Sequence, residues 1–261
     1  MFECINGLYY PCEHEVVNEI PKGIYTLSYN RRNYKIEAKN NGEQFKIPKK
    51  TYCLDEKFID RVLDTFGRRK NNMGVLMNGY KGSGKTMTAK IICNRLGLPV
   101  FVLNEKVDAD DLQVFINALR QDCVLFIDEY EKTFGRDGEL LTLMDGSLNL
   151  SNNILFLLTS NDMDVNENLF NRPSRVFFIK QFGGLEENEI SEILDDFLKD
   201  VSLRDEIFNT ISMFEEVTID NIMMFLEEVN YSKHRDIVEI VKHLNIKLSR
   251  RKQVLKLIDY D

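Results

Sequence analysis

The spacing of hydrophobic and polar positions changes twice along the chain. In the first part, apolar and polar residues alternate over 24–29, 34–38 and 44–47, which is typical of strands with one buried face. Asn41–Gly42 lies between the last two of these segments and is a strong hairpin-turn signal. We therefore expect a small antiparallel β-unit over residues 1–50.

Helical spacing follows. Apolar residues recur every three or four positions from Leu54 to Phe66, and residues 67–72 are polar apart from Gly67. Asp55 stands near the start of this stretch, where a side chain can cap a helix. Residues 51–72 are therefore predicted to be a helix and a linker.

From residue 73 the pattern becomes one of short, continuous apolar runs separated by helical stretches. Continuous apolar strands that alternate with helices predict a parallel sheet buried on both faces. We therefore expect an α/β domain over 73–182, a three-layer αβα arrangement with five central strands. The five runs are Val75–Met77, Val100–Leu103, Val124–Ile127, Ile154–Leu158 and Val176–Ile179.

Beyond Gly183–Gly184 the apolar residues form amphipathic helical stripes only. These stripes predict a C-terminal bundle of about four helices over residues 183–261. No stretch of the chain approaches the ~20 apolar residues that a membrane-spanning helix needs, so we expect no membrane partner.

Composition adds two expectations. The five cysteines are odd in number and include no C-x-x-C pair, which favours reduced thiols in a cytoplasmic protein. The formal net charge is −8, yet residues 22–50 hold eight basic and two acidic side chains. This basic segment is either a solvated β-surface or a local contact for an anionic partner such as nucleic acid.

The strongest chemical signal is the sequence G-x-x-x-x-G-K-T at Gly79–Thr86. It follows a predicted strand and precedes a predicted helix, which is the setting of a phosphate-binding P-loop. Glycines let successive backbone N–H groups converge on phosphates, Lys85 supplies a positive charge, and the Thr86 hydroxyl can bind Mg²⁺. The expected nucleotide-binding residues are Gly79, Tyr80, Lys81, Gly82, Ser83, Gly84, Lys85, Thr86, Met87 and Asp128.

Two carboxylates, Asp128 and Glu129, follow the third apolar run. A parallel strand that ends in carboxylates places them at the sheet edge where ligands of α/β proteins bind. We expect Thr86 and Asp128 to hold Mg²⁺, and Glu129 to orient and deprotonate the attacking water.

With these motifs in place, the chain resembles the AAA branch of the AAA+ ATPases. Residues 155–161 resemble the family's fourth strand, which ends in the polar sensor-1 residue, here Asn161 with Thr159 and Ser160 as possible substitutes. The resemblance implies that Asn161 helps to place the water. It also implies that Arg172 and Arg175 reach ATP on a neighbouring subunit, and therefore a homo-oligomer, with a hexamer as the expected form.

The chain departs from the family at two places. Residues 218–221 hold no sensor-2 arginine, and residues 104–111 hold no aromatic residue followed by glycine, the pair with which unfoldases of the family grip polypeptide. By family analogy, Tyr52 or Leu54 lines the base pocket. The predicted function is Mg-ATP hydrolysis coupled to remodelling or assembly of a protein partner. The alternative is a nucleic-acid-linked ATPase, such as a helicase loader or replication factor, that uses the basic 22–50 segment.

Overall fold

The computed structural model describes residues 2–5, 8–11, 17–30, 35–134, 144, 152–162, 176–232 and 236–249. Its strands are β1 (Phe2–Ile5), β2 (Leu8–Pro11), β3 (Gly23–Asn30), β4 (Lys35–Asn40), β5 (Met73–Gly79), β6 (Pro99–Leu103), β7 (Cys123–Ile127), β8 (Ile154–Ser160) and β9 (Val176–Phe182). Its α-helices are α1 (Glu56–Arg68), α2 (Lys85–Leu96), α3 (Ala109–Ala118), α4 (Tyr130–Phe134), α5 (Glu187–Phe197), α6 (Arg204–Ile211), α7 (Ile219–Tyr231) and α8 (Ile237–His243). A 3₁₀ turn, Val201–Leu203, precedes α6.

All five apolar runs predicted as strands lie side by side in one sheet. The sheet order is β4-β3-β6-β7-β8-β5-β9. In this spatial order, every neighbouring pair from β3 to β9 is parallel. The carboxyl ends of β5, β7 and β8 therefore meet at one edge, with β8 between β7 and β5. This arrangement confirms the predicted α/β fold class of a P-loop NTPase and brings the motif-bearing strand ends together.

Helices cover both faces of this sheet. On one face, α1 and α2 bury Ile59 and Ile92 against Val75 and Val124. On the other face, α3 packs Leu112 beside Phe101 and Phe156. Both faces of the central strands are buried, which explains why these strands are apolar without alternation.

The N-terminal strands differ from the prediction of a small separate β-unit. Strand β3 pairs in parallel with β6 and antiparallel with β4, so the main sheet has seven strands and not five. Strands β1 and β2 form a two-stranded sheet of their own. The physical reason is that β3 buries Tyr25 and Leu27 in the same core as Phe101, with 5.6 Å between the Tyr25 and Phe101 ring centroids.

The predicted hairpin turn at Asn41–Gly42 is wrong. Backbone hydrogen bonds tie these two residues to Ile24 at the start of β3: Asn41 N–H donates to Ile24 C=O at 2.7 Å, and Ile24 N–H donates to Gly42 C=O at 2.8 Å. Residues 44–47 are not a strand either. The Asn94 side chain of α2 binds both backbone groups of Phe45 at 2.9 Å and so takes the place of a neighbouring strand.

Four C-terminal helices form a second hydrophobic core, as the amphipathic stripes predict. Helices α5 to α8 contribute its main buried side chains, including Ile193, Ile211, Phe225 and Ile240. We call residues 185–249 the lid. Among the described helices, none has both the length and the apolar character required to cross a bilayer.

Candidate active site

The phosphate loop, residues 79–86, joins β5 to α2 at the carboxyl edge of the sheet. Gly82 and Gly84 have φ of +77° and +97°, values that side chains other than glycine rarely adopt. A β-carbon on Gly79 would lie 2.0 Å from the backbone oxygen of Phe182. The glycines therefore allow a tight loop whose following helix begins at Lys85, a geometry suited to phosphate groups.

Lys85 lies inside this loop and not in solvent. Its side chain is buried, and Nζ donates to the backbone oxygens of Gly79 at 2.8 Å and Tyr80 at 2.6 Å. Burial lowers the pKa of Lys85, while the nearby Asp128 carboxylate opposes that shift. The loop carbonyls hold the ammonium group where an incoming phosphate can replace them as its partner.

Three side-chain oxygens meet where β7 and β8 end beside α2. The hydroxyls of Thr86 and Thr159 both donate to Asp128 Oδ1, at 2.8 and 2.6 Å. Oxygen donors are the ligands that Mg²⁺ prefers, and it is usually held by one or two protein groups together with phosphates and water. The donor set at Thr86 and Asp128 therefore fits a magnesium ion carried in with a nucleotide.

Glu129 occupies a left-handed turn between β7 and α4, with φ of +51°. Its backbone N–H donates to Thr159 Oγ1 at 2.8 Å, while its carboxylate binds the side chains of Lys132 and Asn161. The Lys132 ammonium group, followed by the Asn161 amide, holds the pKa of Glu129 below its usual value. Glu129 is thus an ionised carboxylate with its orientation fixed from two sides, as a water-activating base requires.

These groups open into a cavity of about 680 Å³, which is within the size range of small-molecule sites. One end of the cavity is polar and includes Lys85, Thr86 and Glu129. We call it the phosphate end. We call the other end the base end. It is formed by residues 50–54, including Tyr52 and Leu54, and by side chains of two helices: Phe197 of α5, and Ile219 and Met223 of α7.

Both candidates for the base pocket, Tyr52 and Leu54, line the cavity. The Tyr52 ring lies 5.9 Å from the Phe197 ring, measured between centroids. The Tyr52 hydroxyl donates to Asp196 Oδ2 at 2.5 Å. Burial and this hydrogen bond raise the pKa of Tyr52 to about 12, so the side chain is a neutral phenol over the usual pH range.

The structure brings most of the predicted site residues together. Those that line the cavity are Lys81, Gly82, Gly84, Lys85, Thr86, Met87, Asp128, Glu129 and Asn161. Gly79, Tyr80 and Ser83 shape the loop: Tyr80 C=O accepts hydrogen bonds from Lys85 and from Ser83 Oγ. Arg172 and Arg175 lie outside the described residues.

The sequence reasoning did not single out Lys132, Phe197 or Asp220, which also line the cavity. Lys132 follows Glu129 by three residues, the spacing of neighbours on a helical turn, and this spacing is the signal that would have found it. Phe197 and Asp220 come from the lid. No local pattern connects them to the phosphate loop.

Comparison with known proteins agrees with this geometry. A model of the family "ATPase family associated with various cellular activities (AAA)" matches residues 75–183. The chain carries an AAA-type P-loop ATPase domain. The match covers β5 through β9 and includes the phosphate loop, Asp128, Glu129 and Asn161. The reaction of such a domain is ATP hydrolysis.

A curated protein whose name describes it as ATP-dependent is similar to part of the chain. The chain is 28% identical to the ATP-dependent zinc metalloprotease FtsH of Aster yellows witches'-broom phytoplasma (strain AYWB) over 127 residues. The alignment covers 39% of this chain and 18% of the relative. The chain thus spans less than a fifth of the length of this relative.

Proposed function

We propose that the chain binds Mg-ATP in this cavity and hydrolyses it, with Glu129 as the base that activates water. The observation that carries the proposal is the hydrogen-bonded group of Thr86, Asp128 and Thr159 beside Lys85. Lys85 and the loop amides would bind phosphate oxygens, and Thr86 and Asp128 would hold the metal. Magnesium, when bound, would neutralise phosphate charge.

Two side chains orient the proposed base. Asn161 and Lys132 bind the two oxygens of the Glu129 carboxylate, Oε1 and Oε2 respectively. The Asn161 backbone N–H donates to Glu131 Oε1 at 2.9 Å, which fixes the end of β8 relative to α4. In this proposal Asn161 acts on water through the position that it gives to Glu129.

The experiment that tests this proposal separates binding from hydrolysis. With Glu129→Gln we expect ATP turnover to fall roughly 10²–10⁴-fold, because a general base contributes about that much, while ATP still binds. With Lys85→Ala we expect binding itself to be lost in calorimetry. Lys106→Ala, an exposed lysine after β6, is the matched control. A wild-type chain with no magnesium-dependent ATP binding that Lys85→Ala removes would refute the proposal.

We further propose that hydrolysis drives remodelling or assembly of a protein partner. The name of the relative states that it is ATP-dependent. In this chain the cavity is bounded by the AAA domain, the residue 50–54 segment and the lid, so one nucleotide would contact all three. Capture of partners by Glu129→Gln protein held on ATP, with and without nuclease, tests this proposal. A partner lost on nuclease treatment would contradict it.

For the assembly we propose a hexameric ring in which Arg172 and Arg175 act on the neighbouring subunit's ATP. Arginine suits this role because it stays charged and offers a planar set of donors. Arg172→Ala and Glu129→Gln chains, each inactive alone, should recover part of the activity when mixed. No recovery at any ratio would count against shared sites.

The alternative function, a nucleic-acid-linked ATPase, has one supporting observation. The lysines of the N-terminal basic segment are exposed at residues 22, 35, 39, 46 and 49. DNA or RNA that stimulates ATP turnover, with an effect that falls steeply as salt is added, would favour this function. Stimulation by a protein and none by nucleic acid would favour the first.

The proposed location is the cytoplasm. Cys53, Cys93 and Cys123 are free thiols, and burial raises the pKa of Cys123 to about 12. Such thiols act as packing groups in a reducing compartment. Fractionation of cells that express the protein tests the location.

A further inference from the structure

One acidic residue of the lid touches the phosphate loop. Asp220 is the second residue of α7. A β-carbon built on Gly82 would lie 2.6 Å from both Cγ and Oδ2 of Asp220, so this carboxylate packs directly on the loop backbone. Asp220 also lines the cavity, together with Lys81 and Lys85.

Helix capping does not account for this position. Thr218 already caps α7, with its hydroxyl accepting from Asn221 N–H at 3.3 Å. A first-turn carboxylate adds a favourable interaction with the helix dipole wherever it sits. Asp205 has the same place in the first turn of α6 but does not line the cavity. The contact with Gly82 is what distinguishes Asp220.

The sign of the charge at this position is what matters. Among the residues that the structure describes, three carboxylates line the cavity: Asp128 and Glu129 at the sheet edge, and Asp220 from the lid. In a site for a polyanion such as ATP, Asp128 would bind the metal and Glu129 would activate water. Asp220 comes from the lid, contacts Gly82 of the phosphate loop and lines the same cavity as Lys81 and Lys85.

We propose that Asp220 is an affinity-setting residue that holds the lid on the phosphate loop when no nucleotide is bound, and opposes the phosphates of a bound nucleotide. This inference rests on the proposed ATP-binding function. The carboxylate and a phosphate are attracted to the same positive loop and repel one another. In a cavity partly shielded from water, one such opposing charge changes affinity about tenfold.

Linkage gives the proposal a second consequence. If contact of Asp220 with the loop weakens nucleotide binding, nucleotide binding must weaken that contact by the same factor. Binding of ATP would therefore loosen the lid at α7. The effect should grow with the number of phosphates, because the repulsion is between charges.

The test measures dissociation constants of magnesium-loaded ATP and ADP, and of adenosine, by calorimetry. With Asp220→Asn we expect about tenfold tighter ATP binding, a smaller gain for ADP and no change for adenosine. The gain should shrink as salt is added. Asp220→Ser, which also removes the charge, should behave alike, while Asp205→Asn should leave all three affinities unchanged.

Two results overturn the inference alone: wild-type protein that binds ATP while Asp220→Asn and Asp220→Ser bind it no more tightly, or an equal gain for adenosine. The second result would mean that volume and not charge was limiting. Wild-type protein that shows no ATP binding sensitive to Lys85→Ala overturns the proposed function, and this inference with it.

Discussion

The two ends of the cavity are held together in different ways. At the phosphate end, short hydrogen bonds join buried and half-buried groups: the buried Lys85 to the loop carbonyls, and Thr86 and the buried Thr159 to Asp128. At the base end, contacts join separate segments, with a ring contact between Tyr52 and Phe197. Lys50 adds ion pairs to Glu192 and Asp196, with half of the Lys50 side chain exposed.

This difference predicts how each end responds to change. Buried polar groups with fixed partners are costly to leave unsatisfied, so a substitution at the phosphate end should have a large effect. Exposed ion pairs and side-chain contacts across a cleft contribute little individually, so substitutions at the base end should have graded effects. The four predictions that follow run from the largest expected effect to the smallest.

The largest effect should come from the metal-binding oxygens. We expect Asp128→Asn, or removal of magnesium with EDTA, to reduce ATP hydrolysis roughly a thousandfold, because the phosphate charge then loses its main counter-ion. The rate of steady-state phosphate release measures this loss. Asp122→Asn, an exposed carboxylate before β7, is the control. Full activity in EDTA would show that Thr86 and Asp128 hold no metal.

A second, smaller effect should follow from Thr159→Val. Thr159 is fully buried and links both carboxylate residues, donating to Asp128 Oδ1 and accepting from Glu129 N–H. Its loss should reduce hydrolysis about tenfold and lower the free energy of unfolding by about 1–3 kcal/mol.

Ser160→Ala is the matched control for Thr159→Val. Ser160 is equally buried, but its hydroxyl accepts from Asp162 N–H at 3.0 Å, whereas that of Thr159 bonds to Asp128 and Glu129. The rate of ATP hydrolysis by Ser160→Ala should stay near that of wild type. Equal losses of rate in both variants would remove the distinction between Thr159 and its neighbour.

At the base end, Tyr52→Ala should weaken ATP binding by about tenfold, the usual scale for loss of one base-stacking side chain. Tyr52→Phe should retain most of the affinity, since it keeps the ring and loses only the bond to Asp196. Fluorescence titration with a labelled nucleotide measures both. Tyr231→Ala, an exposed tyrosine of α7, serves as control. An affinity unchanged in Tyr52→Ala would place the base elsewhere.

The smallest effect should come from Lys50→Ala. It is measured as the difference in unfolding temperature from the wild-type chain over a range of pH. Hydrogen bonds from Lys50 and Tyr52 lower the pKa of Asp196, and bonds to Asp196 and Glu192 raise that of Lys50. A carboxylate whose pKa is lowered by folding stabilises the folded state, and this contribution is lost as pH falls through that pKa. A lysine whose pKa is raised by folding also stabilises the folded state, and its contribution is lost as pH rises through that pKa.

The wild-type chain should therefore unfold at a slightly higher temperature than Lys50→Ala at neutral pH, and the difference should vanish in acid and in strong alkali. Lys49→Ala, at an exposed neighbouring position, is the control. A difference that grows as the solution is acidified would contradict the assignment to these ion pairs.

The sequence predicted the phosphate end well because its parts are local. Gly79–Thr86 is one continuous motif, and Asp128, Glu129 and Asn161 directly follow two strands whose carboxyl ends must share an edge in a parallel sheet. The roles of these residues, and of Arg172 and Arg175, stay predictions until the variants are measured.

The base end and the N-terminal strands were harder to predict, because their partners are distant in the chain. Alternation over 24–29 indicates that β3 has one buried face, yet this pattern does not identify β6 as the neighbouring strand. Asn41–Gly42 has the composition of a turn but is tied to Ile24. Asp220 reads as an ordinary first-turn carboxylate until the fold places it on Gly82.

The segment that follows β4 connects the border of the main sheet to the wall of the cavity. Strand β4 forms one border of the seven-stranded sheet, and the chain leaves it at Asn40. The next ten residues pass Asn94, which anchors Phe45 to α2, and reach Lys50 at the cavity wall. Only ten residues, tethered at Phe45 to α2, therefore lead from the border strand of the sheet to the base end of the cavity.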